Sequence, residues 1–344
     1  MTRRRLIPGP VWQIGRWLLL ALVIEYLVLP QIAGSRHALH LLGRVNPAFL
    51  LIGLGLEAAA VIAYAQLTRS VLPRRSDPGL GTILRIQTAT LGLSHTVPAG
   101  AAAGSSLGYR LMTEAGIDGA DVGFALGTQG LGSALVLNVL LWLALVVSIP
   151  VRGFNPLYVT VALVGAVLLA GFALVVLLLT RGEERAAVIL GRLAARLPLV
   201  EAAVVERVVH RLALRLRELA GDRRVLTRAV AWAAANWLLD AASLWVFVDA
   251  FGHRVGIDGL LVSYGLANVL AAIPLTPGGL GIIEGVLTSS LVGFGTPRGI
   301  AILGVLSWRL VNFWLPIPVG GVCYLSLRWR PGHEGAHGAE PTEA

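Results

Sequence analysis

The chain contains no lysine, a single cysteine and few charges. All 28 basic residues are arginine, which a GC-rich genome explains before any need for guanidinium chemistry does. The one cysteine, Cys323, excludes an internal disulfide and a thiolate metal site, and argues against redox chemistry. Charged residues make up 14% of the 344 positions and hydrophobic residues 56%. The apolar residues come in runs too long for the helices of a soluble core, so a polytopic membrane protein is expected. A net charge of +9 would point to nucleic acid in a soluble chain. Here the arginines crowd into a few loops beside apolar spans, where membrane orientation and anionic lipid account for them. Enzyme motifs are also missing: there is no HExxH pair, no Walker loop, no GxSxG elbow and no Asp-rich diphosphate motif. The scattered glycines of Gly127-Thr128-Gln129-Gly130-Leu131-Gly132 lie within a span with no strand before them, which rules out a dinucleotide site. No catalytic residue, cofactor or metal site is expected, and His333 with His337 in the tail makes a poor metal pair.

Six segments are long enough to cross a hydrocarbon core of about 30 Å as helices: 11–31, 46–68, 120–149, 157–180, 226–250 and 299–327. The first follows Arg3-Arg4-Arg5 without a convincing cleavage site and reads as a retained signal anchor. Two further apolar stretches, 83–113 and 259–295, are interrupted by Pro and Gly, at Thr96-Val97-Pro98-Ala99-Gly100 and at Ile273-Pro274-Leu275-Thr276-Pro277-Gly278-Gly279-Leu280-Gly281. Lipid offers a broken helix no hydrogen-bond partner, so such breaks survive at bilayer depth only where protein or a wet cavity encloses them. Each stretch has the length of a helical hairpin that enters and leaves by one face. Arginine placement sets the orientation. Arg3, Arg4 and Arg5, the cluster Arg69, Arg74, Arg75 and Arg85, and the eleven arginines of 181–228 mark cytoplasmic segments. The hairpin 83–113 then returns to the cytoplasm, 259–295 has its ends outside, and both termini are cytoplasmic. The two hairpins dip from opposite faces.

An offset of 179 residues lays span 46–68 on the start of 226–250, span 120–149 on 299–327, Pro98 on Pro277 and Gly116 on Gly295, without a gap. Paired breaks in corresponding halves are the best sequence pointer to a transporter's binding site. The expectation is an all-α membrane bundle, residues 1–327, built as an inverted repeat of 46–149 and 225–327. The halves are joined by a cytoplasmic amphipathic linker, 181–225, whose arginines recur at spacings of four and seven and suit the anionic inner leaflet. A tail, 328–344, is expected to be disordered.

Ionisable residues inside the spans are Glu25, Glu57, Asp240, Glu284 and Arg309. Each costs roughly 2.5–3.5 kcal/mol at a helix centre, so such groups pair, face the bundle interior or line a substrate path. Glu284 follows the second break and Arg309 lies ten residues into the last span, so the break can bring them together. A phosphate could compete for that guanidinium in bidentate fashion. Gly278, Gly279 and Gly281 lack Cβ and let backbone N–H groups crowd an anion at a helix N-terminus. The substrate-binding set is therefore Pro277, Gly278, Gly279, Gly281, Glu284 and Arg309, with Pro98 and Gly100 from the first break. Glu57, Asn236, Asp240, Asn268 and Asn312 form a second tier, as polar lining or proton carriers; interhelical hydrogen bonding and close packing are the plainer alternatives for these and for Gly100 and Gly104.

The run Ile273 to Gly285 (I-P-L-T-P-G-G-L-G-I-I-E-G), with Trp308 to Gly321, resembles the lysylphosphatidylglycerol synthase transmembrane-region family of flippase-like integral membrane proteins. The likeness covers nearly all of 11–327 and is weaker in the first half, where Val97 to Gly104 replaces a Gly-rich break. The resemblance implies an α-helical bundle that moves aminoacylated phospholipids, or isoprenoid-linked and other glycolipids, across the bilayer. It also implies that Pro277, Gly278, Gly279, Glu284 and Arg309 belong to the working centre. Bifunctional members append a soluble aminoacyl transferase, which this sequence lacks, so lysyl transfer is not expected. The expected function is translocation of an anionic lipid head group across a bacterial inner membrane. Its partners would be membrane lipids and an envelope-biosynthesis enzyme, without nucleic acid. A membrane-embedded transferase with an isoprenoid-phosphate donor, a secondary transporter of a small solute and a non-transporting scaffold are the alternatives.

Overall fold

The computed structural model describes residues 47–73, 78–97, 100–152, 165–167, 170–171, 174, 222–271 and 276–329. The expected span 11–31, most of 157–180, the linker up to residue 221, Pro98 and the tail from residue 330 lie outside the described residues.

Among the described residues all regular structure is helical. In chain order the helices are α1 (Pro47–Val71), α2 (Leu80–Thr96), α3 (Gly100–Glu114), α4 (Gly119–Arg152), α5 (Arg223–Asp249), α6 (Ile257–Ala271), α7 (Ile282–Gly293), α8 (Arg298–Arg309) and α9 (Pro316–Arg328). A short 3-10 turn, Pro277–Gly279, precedes α7, and a π turn, Leu310–Trp314, joins α8 to α9. Among the described residues four stretches are long and apolar enough to cross a membrane: Pro47–Val71, Gly119–Ser148, Arg223–Asp249 and the continuous run Arg298–Arg328. These match four of the six expected spans to within a few residues. The pairs α2–α3 and α6–α7 fall where the two interrupted stretches were expected.

Local chemistry explains the ends. Asp222 caps α5, its carboxylate accepting from the amides of Arg224 and Val225 at 2.9 and 3.2 Å. Helices α3 and α7 finish alike. Gly116 (φ 90°) and Gly295 (φ 96°) each take the left-handed position after the helix. Gly116 N donates to Thr113 O and Ile117 N to Met112 O; Gly295 N donates to Val292 O and Thr296 N to Leu291 O. This pair of bonds satisfies two of the carbonyls left free at the helix end and puts a left-handed residue at its centre, where glycine has no Cβ to crowd the backbone. The π turn has its own cause. Leu315 N reaches back five residues to Leu310 O, just before Pro316 and Pro318, which have no N–H to continue an ordinary ladder.

Packing forms two main cores. One gathers Ile83, Ile86, Met112, Val122 and Ala125 from α2, α3 and α4 around Ala229 and Ala233 of α5, with Tyr324 and Leu327 of α9 against it. The other gathers Phe247, Tyr264, Leu287, Leu291 and Trp308 from α5 to α8, with Leu137 contributed by α4. Each half thus completes its core with a long helix of the other. Leu131, Val139, Leu143, Val146 and Val147 of α4 stay exposed, an apolar face suited to lipid.

Lipid tails are as apolar as a leucine side chain, so helices in a membrane associate by close contact rather than by escape from water. The α2–α9 seam shows this at backbone distance. A Cβ on Gly320 would lie 2.5 Å from the carbonyl oxygen of Thr88, and one on Gly92 2.7 Å from that of Pro316, whereas one on Gly321 would meet nothing within 4 Å. Gly320→Ala should therefore cost about 1–3 kcal/mol by overpacking and lower the unfolding midpoint in detergent. Gly321→Ala should leave it unchanged or raise it slightly, by helix propensity of up to about 1 kcal/mol. Equal midpoints for the two variants would refute the close-contact seam.

Candidate functional site

The second break seats a charge pair. After α6 the chain turns through Gly278, Gly279 and Gly281, at φ 55°, 69° and 83°, and re-enters the helical state as α7. Glu284 stands at the third position of α7 and reaches back, its Oε2 accepting the Gly281 N–H at 2.6 Å. The glycine has no side chain to return that bond, so one half of a capping box remains, carried by the carboxylate. The other oxygen, Oε1, accepts from Nε of Arg309, the last residue of α8. The guanidinium also donates through Nη2 to the Gly278 carbonyl at 3.1 Å. The Arg309 side chain is 4% exposed and that of Glu284 12%. The carboxylate is thus an internal anion bound between a guanidinium and a helix N-terminal amide, the donor set that also holds phosphates.

Aromatic groups enclose the pair. The Arg309 guanidinium carbon lies 4.4 Å from the centre of the Phe313 ring and 5.8 Å from that of Trp308. His95, at the end of α2 beside the first break, stacks on Phe313 at 4.5 Å and 19° and donates its Nδ1–H to the Phe313 carbonyl at 3.0 Å. Gly278 completes the contact: a Cβ there would fall 2.4 Å from Phe313 Cε2 and 3.1 Å from His95 Cδ2. The end of α2 and the 3-10 turn therefore meet across one phenylalanine.

A second polar cluster occupies the adjoining face of the same helical turn. Asp240 of α5 accepts from Trp308 Nε1 at 2.7 Å, from Tyr264 Oη at 2.6 Å and from Asn312 Nδ2 at 3.2 Å. Asn312 Nδ2 also donates to Glu57 Oε1 of α1 at 2.8 Å. Trp308 and Asn312 face these carboxyls while Arg309 and Phe313, one residue on, face the break, so one turn of the last span serves both clusters.

The residues singled out by sequence sort accordingly. Gly278, Gly281, Glu284 and Arg309 are brought into direct contact, and Gly279 shares their turn, with its amide bonded to Thr276 O. The Pro277 backbone opens that turn. Glu57, Asp240 and Asn312 form the adjoining cluster. Asn236 instead donates to the Ala60 carbonyl across the α1–α5 seam, and Asn268 to the Tyr264 carbonyl of its own helix, so neither joins the cluster through these bonds. Gly100 is buried at the start of α3, where a Cβ would overlap the Ser94 carbonyl, so it packs α3 closely against the end of α2. Glu25 lies outside the described residues. His95, Tyr264, Trp308 and Phe313 were not anticipated as site residues. A signal existed for Trp308 and Tyr264, since a buried indole N–H or phenol needs an acceptor and a carboxylate was available on a neighbouring span. His95 had none, because its partner is a backbone carbonyl 218 residues away.

Residues 16–320 match the family described as the lysylphosphatidylglycerol synthase TM region. Among curated proteins the chain is 28% identical over 94 residues to the inner membrane protein YbhN of Escherichia coli, covering 27% of this chain and 29% of that protein. It is 25% identical over 181 residues to a UPF0104 membrane protein of Methanothermobacter thermautotrophicus, covering 49% of this chain and 54% of that protein. A further UPF0104 membrane protein, from Pyrococcus horikoshii, is 26% identical over 110 residues, 32% of this chain and 33% of that protein. The chain thus spans about half or less of the length of these relatives. With a family match over most of its length and four helices fit to cross a bilayer, the chain is a multi-pass integral membrane protein that belongs to the lysylphosphatidylglycerol synthase TM region family.

Proposed function

We propose that this protein is a lipid translocase of the bacterial inner membrane rather than an enzyme. It binds an anionic phospholipid, or an isoprenoid-linked or glycolipid head group, at Arg309 and moves it between leaflets while the acyl chains stay in lipid. The observation that carries the reading is the Glu284 carboxylate held between the Arg309 guanidinium and the Gly281 amide. Such a pocket is already an anion site with an anion in it. A head-group phosphate competes with Glu284 for the same donors, so the pair cycles between a closed state, neutralised from within, and a loaded state, neutralised by substrate. The Phe313 ring over Arg309, itself covered by the stacked His95 ring, supports assignment of the described conformation to the closed state.

In this reading α2–α3 and α6–α7 are re-entrant hairpins that dip from opposite faces, and both termini are cytoplasmic. An inverted repeat is supported by more than the sequence offset. Shifted by 179 residues, the start of α4 at Gly119 falls on the start of α8 at Arg298. The same shift carries every hydrogen bond of the Gly116 turn onto its counterpart at Gly295. The halves differ in charge. Ser105, Gly130 and Ser133 stand where the second half has Glu284, Arg309 and Asn312, and the first half builds a neutral cluster in which Gln87 donates to Thr68 Oγ1 at 2.7 Å and to Gln129 Oε1 at 3.2 Å. One half binds; the other provides the matching wall.

Wild-type protein reconstituted with head-group-labelled lipids should let an impermeant quencher bleach inner-leaflet label as it appears outside. Hydrogen bonds to a charged group contribute about 1.5–3 kcal/mol, so Arg309→Ala should slow transfer roughly ten- to a hundredfold. Mass spectrometry should find anionic lipid co-purified with the wild type and missing from that variant. Equal slow transfer of every lipid by both proteins would end the translocase reading. The topology has a separate test in a Cys323→Ser background. Ala115→Cys should react with an impermeant thiol reagent from the cytoplasmic side and Gly293→Cys from the outer side; labelling of both from one side contradicts opposed hairpins.

A further inference from the structure

Two carboxyls meet beside the lipid site without a cation of their own. Glu57 of α1 is 7% exposed and Asp240 of α5 8%. One amide nitrogen, Asn312 Nδ2, bridges them, at 2.8 Å from Glu57 Oε1 and 3.2 Å from Asp240 Oδ1. Asp240 has both oxygens engaged, Oδ1 by Trp308 and Asn312 and Oδ2 by Tyr264. Glu57 does not: no donor among the described residues reaches its buried Oε2. The Ser243 hydroxyl alongside gives its proton to the Gly53 carbonyl at 3.0 Å.

The neighbouring groups do not supply the missing charge. From α6 the cluster faces Tyr264, from α8 Trp308 and from the π turn Asn312, all neutral donors. Among the described residues Arg309 is the one basic side chain that is fully buried, and its guanidinium is matched by Glu284 of α7 and the Gly278 carbonyl. Fully ionised, this core would set three carboxylates, Glu57, Asp240 and Glu284, against one arginine, two more negative charges than positive; one bound cation leaves a single negative charge, which the Trp308, Tyr264 and Asn312 donors hold at Asp240. Charges that share an interior amide repel strongly where water cannot screen them. A membrane core tolerates such an arrangement only with a counter-ion.

We propose that Glu57 and Asp240 together hold one exchangeable monovalent cation, a proton or a sodium ion, at Glu57 Oε2, and that its loading and release are coupled to the head-group cycle. The oxygen inventory favours the proton. A sodium ion needs several oxygens with free lone pairs, whereas Asp240 Oδ1 already accepts two hydrogen bonds, Asp240 Oδ2 and Glu57 Oε1 one each, and Glu57 Oε2 alone has no donor. No bond beyond an O–H forms or breaks; the ion enters from one aqueous face and leaves to the other. Coupling runs through the last span, because Trp308 and Asn312, which grip the carboxyls, alternate with Arg309 and Phe313, which grip the break. The π turn Leu310–Trp314 is the place for the register to change, since such turns hold one residue more than the helix around them. Coupling rests on the translocase reading, while the cation site does not.

The sample for the test is full-length protein in detergent, without added lipid. For a proton, infrared spectra of the wild type should contain the C=O band of a protonated carboxyl that shifts in deuterium oxide and is lost in Glu57→Gln. For sodium, radioactive sodium should bind saturably, one ion per chain, and binding should be lost in the same variant. A wild type with neither signature overturns the proposal, whatever the variant's folding, as does a carboxyl band unchanged in both Glu57→Gln and Asp240→Asn. Arg309→Ala should keep the cation signature while its lipid transfer slows roughly ten- to a hundredfold. Wild-type lipid transfer with no cation signature would sink this site and spare the translocase; a cation signature with no lipid transfer would do the reverse.

Discussion

A guanidinium among membrane helices must be neutralised where it stands, and the geometry around Arg309 follows from that need. Breaking such a pair by removing one partner costs about 3–5 kcal/mol, because the remaining charge stays buried. Glu284 meets the need only if Gly281 caps α7 at this point, which requires the chain to turn sharply through three left-handed glycines. That turn in turn exposes the Gly278 carbonyl to Arg309 and leaves room for Phe313, whose ring would collide with any side chain at that position. Break, charge pair and aromatic cover are one solution to one electrostatic constraint.

Around that centre the bundle is held by contact and by polar clasps rather than by exclusion of water. The α2–α9 seam closes at backbone distance through Gly92 and Gly320. Across the halves, Asn236 and Ser243 of α5 donate to the Ala60 and Gly53 carbonyls of α1, and Trp237 to the Ser133 carbonyl of α4. Each such bond sets a helix's depth and rotation, which apolar packing alone leaves free to slide. Asp240 does the most, joining α5, α6 and the last span through three donors.

The last span links these devices. Its residues 308 and 312 serve the carboxyl cluster and 309 and 313 the break, so any change of register at the π turn alters both together. In the translocase reading this is how a charge loaded on one side of the helix is felt by a lipid on the other. In the inverted-repeat reading, Ser105, Gly130 and Ser133 take the places of Glu284, Arg309 and Asn312, and the first half builds its own neutral cluster from Gln87, Gln129 and Thr68. An arrangement with one charged and one neutral wall suits a head group that must be gripped and then let go.

Much of this could be read from the order of residues. Long apolar runs gave four spans, because a helix that satisfies its own backbone is the cheapest way through lipid. Pro and Gly marked both interruptions, and a buried Arg with a buried Glu near one of them implied their pairing. Asp240 and Asn312 could be named as polar, but their assembly with Glu57 into one cluster could not, since helix rotation decides which polar faces meet. His95, Phe313, Trp308 and Tyr264 became site residues only through contacts between distant segments, with partners as plain as a backbone carbonyl. Composition and local chemistry therefore specified the elements and the charges to be neutralised. Which groups neutralise them depended on how close the helices come and how they are turned, and close contact between glycine backbones belongs to pairs of helices rather than to either one.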